Sequence, residues 1–205
     1  MVRITVWNDY ICPWAYAARP QTAWLRAEVA GRQIDAQAVT VAVRGFELHP
    51  DLPPEGAAVR PGGRLDQVFD HIATECAKRN QPFVKPSRTP NSQRVLALAD
   101  LVHAEHLDAF ASFDDAVAKA HWVEGQRIDD DRVLSELLSG AGIDPALLDR
   151  VGDEGRALLD YGRCEAMDVG ATATPTWQIN DLVVTGLHDD AQFRRWIGRI
   201  LDRST

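Results

Sequence analysis

The fold is decided by residues 3–18, which read RITVWNDYICPWAYAA. Alternating β-branched and aromatic side chains up to Trp7 predict a strand, and a short turn then leads to Cys12. Pro13 suits the first turn of a helix because the N–H that proline lacks would have no partner there. The stretch therefore places Cys12 at the N-terminus of a helix that directly follows a strand.

The pattern extends outward from this stretch on the C-terminal side. Apolar spacing continues the helix from Pro13 to Gly31, and residues 34–43 predict a second strand that is buried on both faces. The two strands should be parallel because a helix connects them. Residues 46–63 are rich in proline and glycine and predict a loop.

Helical patterns dominate the middle of the chain, and strand patterns return near its end. Apolar residues at spacings of three and four predict helices over residues 65–79, 92–106, 113–122, 130–139 and 145–167. Residues 176–179 and 182–185 predict a hairpin that turns at Asn180 and Asp181. Asp189 and Asp190 then precede a last amphipathic helix that runs to Leu201.

Composition and charge exclude several classes of protein. The 205 residues carry 22 Lys and Arg against 30 Asp and Glu, so the net charge of -8 does not suit nucleic-acid binding through a general positive field. No apolar run approaches the roughly 18 residues of a membrane span, and the N-terminus lacks the pattern of a signal peptide. We therefore expect a cytoplasmic protein that binds neither membrane nor nucleic acid, with Cys12, Cys76 and Cys164 as free thiols.

Several motifs, taken in order, resemble one family. DYICPWA at residues 9–15 and ATPT at residues 173–176 resemble the two halves of a thioredoxin-fold active site. The helical insertion makes the chain similar to DsbA. FELHPDLPPEG at 46–56, Asn91-Ser92, HWVEGQRI at 121–128 and Thr185-Gly186 are similar to the cytoplasmic FrnE-like branch, first noticed around polyketide biosynthesis. The resemblance implies an α/β thioredoxin-like domain of residues 1–63 and 168–205 with an inserted α-helical domain of residues 64–167.

Cys12 is the predicted nucleophile. Unpaired N–H groups and the positive end of the helix dipole favour the thiolate, which predicts a lowered pKa. The resemblance implies that Pro175 is a cis-proline beside the sulfur and that Thr174 presents its N–H and C=O to an extended substrate. The alternatives are a Cys12 that is a small core residue and a Pro175 that is an ordinary trans-proline opening a strand.

One departure from the family pattern decides the predicted function. Redox members have Cys-x-x-Cys, whereas Ala15 replaces the second thiol here, and Cys76 and Cys164 lie in predicted helices without a motif. A lone thiolate can add reversibly to an electron-poor carbon, so we predict cis–trans isomerisation of a conjugated polyketide or acyl intermediate in secondary metabolism, with no cofactor required.

Two other functions stay open. One is a DsbA/FrnE-like thiol-disulfide oxidoreductase or thiol transferase, which would be monothiol with glutathione or mycothiol as external thiol, or dithiol if Ala15 stands in for a natural cysteine. The other is a catalytically silent binding protein that kept the fold.

The predicted substrate site includes residues around Cys12. Pro13, Trp14, Thr174 and Pro175, with His121 and Trp122, are expected to bind a small conjugated or thiol substrate, although aromatic residues are as often part of a core. Residues 76–99 form a basic segment with five cations, which are Lys78, Arg79, Lys85, Arg88 and Arg94. This segment could dock a phosphopantetheine arm or an acyl carrier protein, and the alternative is that it is a solvated loop. His103 and His106 lack partners of zinc spacing, so no metal site is predicted.

Overall fold

The computed structural model describes residues 2–32 and 39–204, and a four-stranded sheet lies at its centre. In chain order the strands are β1 (Val2–Asn8), β2 (Val39–Gly45), β3 (Ala57–Ala58), β4 (Arg88–Thr89), β5 (Thr176–Ile179) and β6 (Leu182–Thr185). β1 is parallel to β2 and antiparallel to β5, and β5 forms a hairpin with β6. The predicted parallel pair and hairpin are confirmed. Residues 34–38 of the predicted second strand lie outside the described residues, and the strand extends to Gly45.

Helices cover the sheet and form the middle of the chain. They are α1 (Pro13–Ala17), α2 (Arg19–Gly31), α3 (Arg64–Lys78), α4 (Gln93–Glu105), α5 (Leu107–Trp122), α6 (Asp131–Gly140), a 3-10 helix (Pro145–Arg150), a π-helix (Val151–Gly155), α7 (Arg156–Asp168) and α8 (Asp190–Ser204). Among the described residues, no helix is both long and apolar enough to cross a membrane. The architecture is the predicted α/β fold with a helical insertion.

The predicted helix from Pro13 to Gly31 is two helices, which meet at Ala18. The break follows from Pro20, which has no N–H to donate to the carbonyl of Tyr16 four residues earlier. The side chain of Gln81 donates to that carbonyl instead, with an Nε2–O distance of 2.7 Å. A proline in the second helix thus brings the segment after α3 against the active-site helix α1.

Two other predicted segments differ in detail. The loop of residues 46–63 contains the short strand β3, which pairs with β4. The single helix predicted for residues 145–167 is a 3-10 helix, a π-helix and α7 in succession. Gly155, where the π-helix ends, packs so closely on α4 that a Cβ atom there would lie 2.8 Å from the carbonyl oxygen of Ala97. This close backbone approach requires glycine, and the spacing of apolar residues does not reveal it.

The insertion and the sheet share one apolar core. Ile4 and Val6 of β1 belong to the same buried cluster as Val95 and Leu98 of α4. Trp7 reaches α7 on the other side of the sheet, where its Nε1–H donates to the carbonyl of Gly162 at 3.1 Å. The boundaries of the two predicted domains remain a prediction, because the helices of the insertion pack directly on β2.

Candidate active site around Cys12

Cys12 lies where the end of β1 meets the start of α1. Its N–H donates to the carbonyl of Asp9 at 3.0 Å, which closes the turn, and Pro13 begins the helix. The Cys12 thiol donates to the carbonyl oxygen of Thr174 at 3.2 Å, and the Thr174–Pro175 peptide bond is cis. The structure therefore brings Cys12, Pro13, Thr174 and Pro175 together from the two motifs that the sequence separates by about 160 residues.

The thiol of Cys12 is protonated in this closed site. Only 4% of the residue is exposed, and burial raises the pKa of the thiol to about 11. The side chain of Thr174 and the backbone N–H groups of Ala15 and Trp14 lower this pKa, while the charge of Asp9 raises it further. The predicted lowering of the pKa is wrong because desolvation outweighs the helix N-terminus. The donors that would stabilise a thiolate are nevertheless in place.

Asp9 fixes the turn that carries Cys12. Its carboxylate accepts hydrogen bonds from the N–H groups of Ile11 at 3.2 Å and Leu48 at 2.9 Å, and it also bonds the side chain of Ser92. Burial raises the pKa of Asp9 to about 6, and the nearby charge of Glu47 acts in the same direction. Asp9 therefore joins three segments: the turn, the loop of residues 46–56 and the start of α4.

Asp9 belongs to the DYICPWA motif, but the sequence alone assigned it no role. A usable signal was present, because an aspartate in a turn commonly accepts a hydrogen bond from the N–H two residues later. The bond to Leu48 had no such signal, since it joins residues far apart in the chain.

Two cavities flank the active-site helix. The Trp14 cavity, of about 420 Å³, lies between α3 and the segment before α8, and its walls include Trp14, His71, Arg79, Leu187 and His188. Trp14 packs on His71 there, with ring centroids 5.4 Å apart.

The Ala15 cavity, of about 410 Å³, lies along α2 on the other side. Its walls include Val6, Asn8, Ala15, Gln81 and Pro175. Both cavities thus touch residues that neighbour Cys12 in the chain or in space.

His121 and Trp122 lie in the core, behind the site. Trp122 is 1% exposed and stacks on Tyr16 at a centroid distance of 5.4 Å, and its Nε1–H donates to the carbonyl of Tyr10 at 2.8 Å. Burial lowers the pKa of His121 to about 4, so this imidazole is neutral at pH 7 and brings no positive charge to Cys12. In this arrangement Trp122 supports the turn from within the core instead of lining an open cleft.

A second buried network supports the same turn. The hydroxyl of Tyr10 donates to Asp114 at 3.0 Å, and Arg19 pairs with Asp114 at 2.7 Å. Sequence analysis missed this network, whose partners come from the turn, α2 and α5. No spacing rule connects them.

The basic segment of residues 76–99 is not a free positive surface. Each of its five cations has a carboxylate partner, and the pairs are Lys78–Glu75, Arg79–Asp190, Lys85–Asp66, Arg88–Asp129 and Arg94–Asp131. The described residues also bring together no group of three or more His, Cys, Asp and Glu side chains that could hold a metal ion.

Comparison with known proteins fits this geometry. Residues 3–198 match the family of DSBA-like thioredoxin domains. The chain belongs to this family. It is 26% identical over 191 residues to the protein YwbO of Bacillus subtilis, and the match covers 90% of each chain.

Solved structures share the fold of this DSBA-like chain. A probable DsbA oxidoreductase from Streptomyces coelicolor has a TM-score of 0.80 at 20% identity, covering 100% of this chain and 92% of its own. A 2-hydroxychromene-2-carboxylate isomerase has a TM-score of 0.76 at 15% identity, covering 98% and 97%. The fold thus occurs in proteins described as an oxidoreductase and as an isomerase.

Within the DSBA-like family, this chain has a single sulfur at its active site. None of its three cysteines forms a disulfide. Cys76 is buried in an aromatic cluster with Phe69 and Trp122, and Cys164 is exposed on α7. Ala15 occupies the position one turn after Cys12 and is itself buried. The arrangement can form and break one covalent bond to sulfur, but it holds no second thiol at the position that resolves a mixed disulfide.

Proposed function

We propose that this chain is a cysteine-dependent isomerase that shifts the geometry of a double bond in a conjugated substrate. The observation that carries the proposal is the pairing of a lone, buried Cys12 with Thr174–Pro175 while Ala15 fills the place of a resolving thiol. A dithiol cycle needs a second sulfur within reach, and reversible addition to carbon does not.

The chemistry needs no net oxidation. Cys12 first loses its proton to solvent. The sulfur then forms a bond to the β-carbon of a conjugated carbonyl compound, the electron pair of the double bond forms a new bond between the α-carbon and the carbonyl carbon, and the carbonyl electron pair moves to the oxygen to give an enolate. The former double bond is now single and rotates. The electron pair then returns, the sulfur–carbon bond breaks and the isomerised substrate leaves. The thiolate recovers its proton at the end of the cycle.

The groups around Cys12 can stabilise the thiolate that this step requires. The buried hydroxyl of Thr174 has no hydrogen-bond partner among the described residues, and its side chain and the N–H groups of Trp14 and Ala15 lower the pKa of Cys12. All three are donors that favour the charged form once it exists.

Thiol exchange is the second candidate, and the Trp14 cavity favours it. That cavity contains Lys78 and Arg79 together with Glu75, Asp189 and Asp190, so it offers both signs of charge beside the residue that follows Pro13. A zwitterionic peptide thiol such as glutathione matches such a surface, and mycothiol would be the alternative external thiol. In this case Cys12 would form a mixed disulfide that a second small thiol resolves.

The experiment is a direct comparison of the two kinds of adduct. Reduced protein is incubated with dimethyl maleate, and the appearance of dimethyl fumarate is followed by NMR. Isomerisation predicts fumarate formation that is lost in Cys12→Ser, together with a reductant-resistant adduct on the Cys12 peptide by mass spectrometry. Absence of fumarate, with a reductant-labile adduct after incubation with oxidised glutathione, would replace isomerisation by thiol exchange.

The biological setting belongs to the same proposal. We infer a cytoplasmic enzyme of secondary metabolism that needs no cofactor and acts on a polyketide or acyl intermediate, free or carried on an acyl carrier protein. Incubation with extract of the source cell tests this, because a stable organic adduct on Cys12 would reveal the mass of the natural compound. A Cys12 that carries only small cellular thiols would contradict it.

A further inference from the structure

One edge of the central sheet is open. The strand order is β2-β1-β5-β6, so β6 pairs with β5 on one side and, among the described residues, with no strand on the other. Proteins usually protect such an edge with charged residues or proline, because its unpaired N–H and C=O groups can pair with another chain. β6 reads LVVT, which contains neither a charge nor a proline, and its first and last residues are exposed. The edge is therefore available to a further strand.

The hairpin determines which backbone groups of β6 face outward. Gly186 lies directly after β6, and its N–H donates to the carbonyl of Pro175 at 2.8 Å. Successive residues in an antiparallel pair bond alternately toward the partner strand and away from it. Val184 therefore also bonds toward β5, where it lies opposite Trp177. The N–H and C=O groups of Val183, one residue earlier, point away from β5 at the open edge.

An apolar groove lies beside this edge, between β6 and α8. Its volume is about 420 Å³, and its walls are Leu182, Val184, Trp196, Arg199 and Ile200. Leu182 is 45% exposed and Trp196 is 37% exposed, although both are large apolar residues. Leu182 and Val184 point to the same face of the sheet because they are two residues apart. The exposed apolar surface and the unpaired backbone groups thus occur together.

The edge is complementary to a second copy of itself. When two β6 strands pair antiparallel about a two-fold axis at Val183, the outward groups meet, and the two Val183 residues exchange two hydrogen bonds. Leu182 of each copy then lies opposite Val184 of the other. Residues in such a pair have Cα atoms only about 4.5 Å apart. Both side chains of this pair are apolar and line the groove.

The neighbouring two-fold registers fit less well. An axis at Val184 would bring together backbone groups that already bond to β5, so it would form no ladder. An axis at Thr185 would place Leu182 opposite His188, which lies beyond the end of β6. Of the three registers, the axis at Val183 is the one that pairs outward backbone groups and apolar side chains together.

We propose that this chain forms a symmetric homodimer through antiparallel pairing of its β6 strands about Val183. The pairing joins two four-stranded sheets into one continuous sheet. It also covers the groove, because the Leu182 side chain of the second copy lies beside Val184 on the face of α8. The proposal goes beyond the proposed function and does not depend on it, since the contact uses no group of the Cys12 site.

Analytical ultracentrifugation of the full chain tests the dimer. We expect twice the mass of a single chain at concentrations above about 10 μM. Leu182→Lys places a charge at an exposed position of the groove and should weaken association at least about tenfold. Leu107→Lys is the matched control, because Leu107 is 63% exposed on α5, and it should leave the dissociation constant unchanged. Circular dichroism checks that both variants keep the fold.

Cysteines introduced into β6 test the register, in a Cys164→Ser background because Cys164 is exposed. With the axis at Val183, the two Val183 Cα atoms lie about 5.5 Å apart, which is within the range of a disulfide. Val183→Cys should therefore link two chains under mild oxidation, as a non-reducing gel shows. Thr185→Cys is the control, because its copies would lie four residues apart along the paired strands, about 13 Å, and should not link.

Three results would overturn the proposal. A native chain that stays monomeric at about 0.1 mM would leave the open edge to a different partner. An association that Leu182→Lys and Leu107→Lys affect equally would place the interface elsewhere. A link through Thr185→Cys in place of Val183→Cys would exclude the axis at Val183. Failure of dimethyl maleate isomerisation leaves all these measurements unaffected, so the proposed function and the dimer can fail separately.

Discussion

Cys12 and Cys76 are both buried thiols whose pKa values are raised, but they lie in different surroundings. Burial raises the pKa of each thiol to about 11, and both side chains are nearly inaccessible. Cys76 lies inside α3 and packs in an apolar cluster with Tyr16 and Ile72. Cys12 lies at a helix start, against Thr174 and between backbone N–H groups that lower its pKa. Burial raises the pKa of both thiols, and Cys12 in addition has neighbouring hydrogen-bond donors that would stabilise a thiolate.

The largest expected difference between the two thiols is in activity. Cys12→Ser should reduce isomerisation of dimethyl maleate by at least about a thousandfold, because a serine hydroxyl does not ionise near neutral pH. Cys76→Ala should leave the rate unchanged and lower the free energy of unfolding by about 1 kcal/mol through the small cavity that it creates. The isomerisation rates are measured by NMR, and the free energy of unfolding is measured by urea denaturation. Equal losses of activity would remove the distinction between the two sulfurs.

The pH dependence of alkylation tests the acidity of Cys12. Since its pKa is about 11, only about one thiol in ten thousand is ionised at pH 7, and the rate should rise about tenfold for each pH unit up to pH 10. The rate of iodoacetamide modification is measured on the Cys12 peptide by mass spectrometry, in a Cys164→Ser background because Cys164 is exposed. A rate that levels off near pH 7 would show a thiolate at rest and contradict the burial argument.

A second thiol introduced at position 15 tests whether the site keeps the geometry of a dithiol active site. Ala15 lies in the first turn of α1, three residues after Cys12, which caps the N-terminus of that helix, and residues three apart on a helix have Cβ atoms within about 5–6 Å. Ala15→Cys should therefore form a disulfide with Cys12 under mild oxidation and gain dithiol reductase activity, which an insulin reduction assay detects. Ala17→Cys in the same helix is the control, and we expect it to form no disulfide with Cys12. Two free thiols at positions 12 and 15 after oxidation would show that the family's redox geometry is lost.

Local physical patterns predicted the main strands and helices, whereas the position of Pro175 beside Cys12 was implied by the family resemblance. The strand before Cys12, the turn proline and the hairpin after Pro175 are local patterns, and periodicity specifies them. The same local rule failed at Ala18, where Pro20 breaks one predicted helix into two. It also failed for residues 145–167, where the close contact of Gly155 with Ala97 determines the backbone.

The site was predicted less completely, because acidity depends on burial. A helix N-terminus predicts a lowered pKa for Cys12, and only the packed structure shows that desolvation prevails. The hydrogen bonds of Asp9 to Leu48 and Ser92 join distant segments, and a single sequence gives no sign of them.

The smallest expected effect concerns the charge of Asp9 near the thiol. Above about pH 6 this carboxylate is ionised and raises the pKa of Cys12. Asp9→Asn removes the charge, so alkylation of Cys12 at pH 8 should become about 3- to 10-fold faster, in line with a shift of up to one pKa unit.

The direction of the pH effect makes this prediction specific. In the native protein Asp9 is protonated below about pH 5, so the rates of native protein and Asp9→Asn should converge there and separate as the pH rises through 6. Asp100→Asn is the matched control, because Asp100 is also a buried carboxyl whose pKa burial raises to about 7, but it accepts a hydrogen bond from the N–H of Gly45 on β2 instead of supporting the Cys12 turn. Asp100→Asn should follow the native rate at every pH. If both variants change the rate alike, the effect comes from general loosening of the core, and the charge of Asp9 has no separate role.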